Sequence, residues 1–224
     1  MTSMLILDYA LSTEPIVEGI AYHFARAGCA VDFRPAYPNL VLEDLSRYAA
    51  IALLAGRTPD FPSARMSVDE AAAAARFVRQ GGALVLGPNL EGGEGGHERH
   101  LFNQLLADLG IPIRLRDVQV EDPVNGYAAS MWNRPFYRPV ATHPTAAGAA
   151  GRLALDRSTP LAADDGVEVA LTTFETARPD GVMPVAAFGR AGRGYVLVAG
   201  RHLLDATGIP LRISAEPLVH PEWL

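Results

Sequence analysis

The run AAIALLAG, residues 49–56, and the run MSVDEAAAAARFVRQGGALVLGP, Met66–Pro88, together indicate a strand, a helix and a second strand. Both apolar runs are continuous, which is typical of strands buried on both faces of a parallel sheet. Between them, Ser67 precedes Glu70 by three residues, a capping-box pattern, and good helix formers continue to Gly81. Because parallel strands need such a crossover, this unit predicts an α/β protein.

The same alternation extends on both sides of this unit. MLILDY at 4–9 and AVDFRPA at 30–36 have strand character, and the segment 12–28 between them has helix start and stop signals. After the central unit, the segment 97–110 predicts a helix whose core face carries Leu101, Leu105, Leu106 and Leu109. The first half therefore predicts a doubly wound, mostly parallel sheet.

The second half has a different character. Residues 111–176 contain prolines and short β-like pieces without a long helical period, which predicts an irregular excursion with antiparallel strands. The segment 184–200, PVAAFGRAGRGYVLVAG, then predicts a hairpin whose second arm returns to the sheet. No linker divides the chain, so we expect a single domain over 1–224. Its proline-punctuated tail, 215–224, favours a homo-oligomer.

Composition excludes several classes of function. Lys and Arg number 19 against 25 Asp and Glu, giving a formal charge of −6, and the basic residues are scattered, so a nucleic-acid partner is not expected. The short apolar run at the N-terminus lacks a basic flank, which predicts neither a signal peptide nor a membrane anchor, and hence a cytoplasmic protein. The only cysteine, Cys29, is expected to be a small buried residue.

The order of the motifs resembles a known family. The motifs are YAAIALLAG, MSVDEAAAAARFVRQGGALVLGP, LFNQLLADLGIPI, THP and GRGYVLVAG with HLLD close behind. In this order they resemble the class I glutamine amidotransferase-like proteins of gliding-motility and intraflagellar-transport components and of related bacterial proteins. The resemblance covers residues 4–205, and its motifs are structural. It implies a flavodoxin-like α/β scaffold.

The chain departs from that family where its chemistry resides. Catalytic class I amidotransferases carry a cysteine on the turn after the third strand, with a His and Glu pair late in the chain. Here Gly56 and Arg57 follow the strand, and His202 lacks the His-x-Glu spacing. The resemblance therefore implies a relative that kept the scaffold for binding and does not hydrolyse glutamine.

The start of the chain also resembles a flavodoxin, in which a hydroxyl-rich loop after the first strand wraps a flavin phosphate. The loop here has Ser12 and Thr13, but Glu14 would face the phosphate and Pro15 lacks the N–H that a phosphate would use. Flavin binding is disfavoured, and no cofactor is expected.

A glycine-rich loop, Gly87–Gly96, joins the fourth strand to the next helix. A phosphate loop needs converging N–H groups and usually a lysine, whereas this loop contributes Glu91 and Glu94. Phosphate is therefore disfavoured. Two interpretations stay open: a surface loop without a ligand, or a mobile lid that closes on an uncharged or cationic ligand.

Polar residues follow the strands at the carboxyl edge of the predicted sheet, where α/β proteins place their ligands. An Asp8–Arg57 ion pair between loops, and a His202 hydrogen-bonded beneath a loop, are the alternatives to a ligand role. The candidate contacts are Asp8 and Tyr9 after the first strand, Arg57 after the third, Asn89 and Glu91 after the fourth, and His202 after the last.

His97 and His100 lie three residues apart at the start of a predicted helix. Without an H-x-x-x-H or H-E-x-x-H pattern, no metal is expected, and we assign His97 to the ligand contacts instead. The segment around Trp132 and Tyr137 mixes aromatic residues with Asn and Arg, the composition of a recognition surface. A loop that anchors itself on the core through the same aromatics is the alternative.

Three functions remain open from the sequence. The first is a binding module for a small polar or sugar-like molecule, or for a protein partner. The second is a hydrolase of amide or glycan substrates, with Asp8 or Glu91 as general base and Arg57 or His97 binding negative charge. The third is a structural subunit that buries its aromatic loop against another chain.

Overall fold

The computed structural model describes residues 3–9, 25, 28–35, 45–55, 66–88, 96–129, 132–140, 153–154 and 158–200. The elements in these residues alternate as the hydrophobic pattern predicts in the first half and become strand-rich in the second. In chain order they are β1 Ser3–Asp8, β2 Ala30–Pro35, β3 Ala50–Ala55, α1 Val68–Arg79, β4 Ala83–Pro88, α2 Gly96–Asp108, β5 Ile113–Leu115, β6 Gly126–Ala129, β7 Trp132–Pro139, β8 Leu153–Ala154, β9 Leu161–Ala163, β10 Glu168–Thr172, β11 Pro184–Ala191 and β12 Gly194–Ala199.

One large sheet has the order β2-β1-β3-β4-β12-β11-β10-β7-β6, with β8 paired to β7. Strands β2, β1, β3, β4 and β12 are parallel neighbours, and the strands beyond β12 continue the sheet in antiparallel pairs. Strands β5 and β9 form a separate antiparallel pair. The predicted α/β fold, with a mostly parallel sheet and an antiparallel excursion in the second half, is confirmed.

Both faces of the parallel region are buried, which explains its continuous apolar runs. Along β1, Leu5 and Leu7 belong to a core cluster that includes residues of both α1 and α2. Met4 and Ile6 point the other way, into a second cluster that contains Tyr137 of β7. Because side chains alternate along a strand, each of these β1 residues belongs to one core or the other, and none of the four positions is polar.

Helix α1 begins and ends as its sequence predicts. The Ser67 side chain accepts a hydrogen bond from the Glu70 N–H, the Glu70 carboxylate accepts one from the Ser67 N–H, and the helix ends at Gln80. The Arg193 guanidinium, on the β11–β12 turn, donates to the Gln80 carbonyl at 2.8 Å. A Cβ at Gly194 would lie 2.1 Å from the Val78 carbonyl oxygen. The helix-to-strand motif and the Gly-Arg-Gly hairpin of the sequence are therefore in direct contact.

Helix α2 is held on its other side by the small sheet. The predicted leucine stripe is buried, from 0% exposed at Leu106 to 8% at Leu109. The Asn103 side chain donates to the Leu115 carbonyl at 3.0 Å and accepts from the Leu115 N–H at 2.8 Å, so one amide satisfies both backbone groups of a β5 residue. Neither described helix combines the length and apolar character needed to span a bilayer.

Candidate functional site

Four neighbouring parallel strands end at one edge of the sheet. Strands β1, β3, β4 and β12 follow one another in the sheet order, so their carboxyl ends, from Asp8 to Ala199, share this carboxyl edge. Three strand spacings separate β1 from β12, about 14 Å. The chain changes direction across the sheet between β1 and β3, and such a switch point is where open α/β sheets bind ligands.

A buried hydrogen-bond network lies at the β1 end of this edge. The Tyr9 N–H donates to the Leu54 carbonyl at 2.7 Å, which ties the end of β1 to β3. The Tyr9 hydroxyl donates to Glu70 Oε1 at 2.8 Å, and the Ser67 N–H donates to Glu70 Oε2 at 2.7 Å. Tyr9 and Glu70 are each 3% exposed. One carboxylate thus joins the end of β1 to the start of α1.

The environment of Tyr9 keeps its phenol protonated. Burial raises its pKa far above the ordinary value, and the adjacent charge and hydrogen bond of Glu70 raise it further. Tyr9 is therefore a permanent hydrogen-bond donor, and both Glu70 oxygens already have a donor. Within the described part of the edge, this pair stabilises the scaffold and neither group is available as a general base.

The β12 end of the edge is packed more tightly. After β12, the Gly200 carbonyl accepts a hydrogen bond from the Thr159 N–H at 3.0 Å, and the Gly200 N–H donates to the Val185 carbonyl at 2.8 Å. A Cβ at Gly200 would lie 1.8 Å from the Thr159 carbonyl oxygen, so only glycine fits there. Ser158, the neighbouring residue, donates its N–H to the Tyr137 hydroxyl at 3.2 Å.

Sequence reasoning missed two parts of this edge. Glu70 was identified only as a helix cap, and the segment 158–160 was assigned to the irregular excursion. The capping box was a usable signal for Glu70, because a tyrosine that ends the neighbouring strand can share its carboxylate. Nothing in the local sequence marks Ser158 or Thr159 as buried beside the last strand.

The predicted site residues are described to different degrees. Asp8 closes β1, paired with Leu54 of β3, but its side chain lies outside the described part of the structure. Tyr9 is at the edge and buried, as given above. Arg57, Asn89, Glu91 and His202 lie outside the described residues, so their convergence on one crevice stays a prediction.

The loop and histidine predictions meet the same limit. Residues 89–95 of the glycine-rich loop and the tail 215–224 lie outside the described residues. His97 is the second residue of α2, and its side chain is not described, whereas His100 is exposed. Within the described ranges, no group of three His, Cys, Asp or Glu residues is placed to hold a metal ion.

The aromatic segment divides into two cases. Trp132 begins β7, with its backbone paired to Ala129, and its side chain lies outside the described part. Tyr137 is fully buried in the second core cluster, where its hydroxyl accepts the Ser158 N–H. For Tyr137 the structure therefore matches the alternative interpretation, an aromatic anchor that holds the segment on the core.

The only cysteine of the chain lies far from the carboxyl edge. Cys29 immediately precedes β2, at the amino ends of the parallel strands, and is 5% exposed. The six residues of β2 separate it from the opposite edge by about 20 Å. Burial raises the pKa of its thiol, which disfavours the reactive thiolate. The prediction that Cys29 is a small buried residue is confirmed.

Comparison with known proteins identifies the scaffold. No family model matches the chain, and no curated protein matches it significantly. The mmIFT52 N-terminal domain is similar, with a TM-score of 0.67 and 18% identity over 89% of this chain and 86% of that one. A cytoplasmic protein from Salmonella typhimurium has a TM-score of 0.61 and 17% identity, covering 93% and 89% of the two chains.

A third similar structure, from Thermoplasma acidophilum, is a protein of the GMP synthase type. It has a TM-score of 0.52 and 9% identity, covering 91% of this chain and 85% of that one. At these identities the likeness concerns the fold alone. The three structures fit a class I glutamine amidotransferase-like scaffold, in agreement with the sequence resemblance.

Proposed function

We propose that this protein is a non-catalytic binding module on a class I amidotransferase-like scaffold, which recognises a small polar, sugar-like molecule at the carboxyl edge of its sheet. The position of Cys29 is the observation that carries the proposal. Amidotransferase chemistry needs a thiolate at the turn after the third strand. The chain's one thiol is buried at the opposite edge, about 20 Å away.

The described polar groups at the edge support binding over hydrolysis. A hydrolase needs a carboxylate or an imidazole that is free to exchange a proton with its substrate. Tyr9 and Glu70 are engaged with each other and with the start of α1. Asp8 and the more distant Glu91 are the bases that a hydrolase would require, and they provide the rival outcome of the test.

The first experiment is a thermal-shift screen of the wild-type protein against sugars, polyols, amino acids, nucleotides and divalent metals. A ligand that binds only the native state raises the unfolding midpoint, by about 2.7 kcal/mol of stability at 100 times its Kd. We expect a shift with neutral polyhydroxyl compounds. Asp8→Asn should reduce that shift, and Asp165→Asn, in the exposed turn before β10, is the matched control that should preserve it.

The second experiment measures ammonia release from glutamine by the wild type and by Cys29→Ser. We expect no release above background from either protein. Release that disappears in Cys29→Ser would refute the proposal. Cleavage of a glycoside or amide that Asp8→Asn abolishes would establish the hydrolase instead, and burial of Trp132 against a second chain would establish the structural subunit.

A further inference from the structure

The segment 158–160 places a threonine beside the last strand of the candidate site. Its residues are buried, and Thr159 is 2% exposed. The backbone of Thr159 is held by the end of β12, because its N–H donates to the Gly200 carbonyl at 3.0 Å. Thr159 therefore lies at the carboxyl edge, about 14 Å from Tyr9 across the three strand spacings.

The side chain of Thr159 has no partner of its own. Its hydroxyl makes no hydrogen bond to any residue that the structure describes. Thr173 shows what a structural threonine looks like in this fold: it is 0% exposed, and its hydroxyl donates to the Gly181 carbonyl at 2.5 Å and accepts the Met183 N–H at 2.7 Å. Buried polar groups are normally satisfied in this way, and an exception calls for an explanation.

The hydroxyl of Thr159 is also not sealed off. Among the described residues, Arg138 Nε is the one unpartnered side-chain atom that is completely inaccessible, so Thr159 Oγ1 retains a route to the exterior. Gly200, packed directly against the Thr159 backbone, has no side chain to cover it. A buried residue with an accessible, unused hydroxyl at a ligand-binding edge is the arrangement of a polar ligand contact.

We infer that Thr159 is a ligand-contacting residue at the β12 end of the site, where its hydroxyl exchanges a hydrogen bond with a hydroxyl group of a neutral, polyhydroxylated ligand. This inference rests on the proposed function. A threonine hydroxyl can both donate and accept, and so can each hydroxyl of such a ligand. Together with contacts near β1, it would hold a ligand that spans the edge of the parallel strands.

The test compares Thr159→Val with Thr173→Val, two substitutions that each replace a buried hydroxyl with a methyl group. Unfolding midpoints are measured first. Thr159→Val should equal or exceed the wild type, because no hydrogen bond is lost, and Thr173→Val should fall below it. D-glucose, D-galactose and D-mannose are then titrated by calorimetry. Thr159→Val should bind the sugar that binds the wild type about 3- to 10-fold more weakly, as expected for one lost hydrogen bond, while Thr173→Val binds normally.

The outcomes separate the inference from the proposed function. If Thr159→Val binds the sugar as the wild type does, the inference is wrong and the proposed function stands. If Thr159→Val is destabilised as much as Thr173→Val, the hydroxyl is structural and the inference is wrong. If no sugar binds the wild type in calorimetry or in the thermal-shift screen, the proposed function fails and the inference fails with it.

Discussion

Replacing Tyr9 with phenylalanine tests the network at the β1 end of the site. The ring would keep its packing, but Glu70 Oε1 would lose the donor that now lies 2.8 Å away, in a residue that is 3% exposed. A hydrogen bond to a charged group contributes about 1.5–3 kcal/mol, and a buried oxygen left without a donor costs a similar amount. We therefore expect Tyr9→Phe to lower the free energy of unfolding by about 2 kcal/mol at pH 7.

The same substitution predicts a change at alkaline pH. Burial and Glu70 raise the pKa of Tyr9 in the folded protein, whereas in the unfolded chain it is about 10. Below pH 10 both states hold the proton and the Tyr9 contribution is complete. Above pH 10 the unfolded state loses the proton first and therefore binds fewer protons. The free energy of unfolding then falls by about 1.4 kcal/mol per pH unit.

Urea denaturation followed by circular dichroism, between pH 7 and pH 11.5, measures both effects. The advantage of wild type over Tyr9→Phe should be constant up to about pH 10 and shrink above it. Tyr48, whose pKa burial and the Asp32 hydrogen bond also raise, is present in both proteins and cancels. Tyr195→Phe, at a 44% exposed residue, is the control and should change stability little. Equal stability at pH 7, or parallel curves above pH 10, would refute the reasoning.

Two further predictions concern the scaffold. Gly194→Ala should lower the free energy of unfolding by about 3 kcal/mol or more in urea denaturation, because its Cβ would lie 2.1 Å from the Val78 carbonyl oxygen. Gly110→Ala, at φ +71 with open space, should cost only about 1–2 kcal/mol, and equal losses at the two sites would contradict the steric cause. Asn103→Ala should cost about 2 kcal/mol, since both backbone groups of Leu115 lose a partner, and amide hydrogen exchange at Leu115 should accelerate.

The sequence predicted most of the parallel region correctly. Continuous apolar runs mark β1, β3 and β4 because both faces of these strands are buried, and the Ser67–Glu70 pair marks the start of α1 because capping is a local interaction. The β11–β12 hairpin was predictable for the same reason, since its turn lies between adjacent strands. Signals of this kind need only neighbouring residues.

The site was less predictable, because its contacts join distant segments. Tyr9 and Glu70 are 61 positions apart, and the sequence identified each one without indicating that they share a hydrogen bond. Tyr137 had two interpretations with the same composition, a recognition residue or a core anchor. The difference is whether another element covers the ring, and only the packing of β7 shows that it does.

The amino-acid sequence by itself determined that this is an α/β protein with a parallel sheet, and that no thiol follows its third strand, because side-chain periodicity and residue identity are properties of short segments. The tertiary structure decided what each described polar group at the carboxyl edge is free to do. It consumed Tyr9 and Glu70 in one network and left the Thr159 hydroxyl unused beside Gly200. Hydrogen-bond satisfaction depends on which atoms meet in space, and sequence separation carries no record of those encounters.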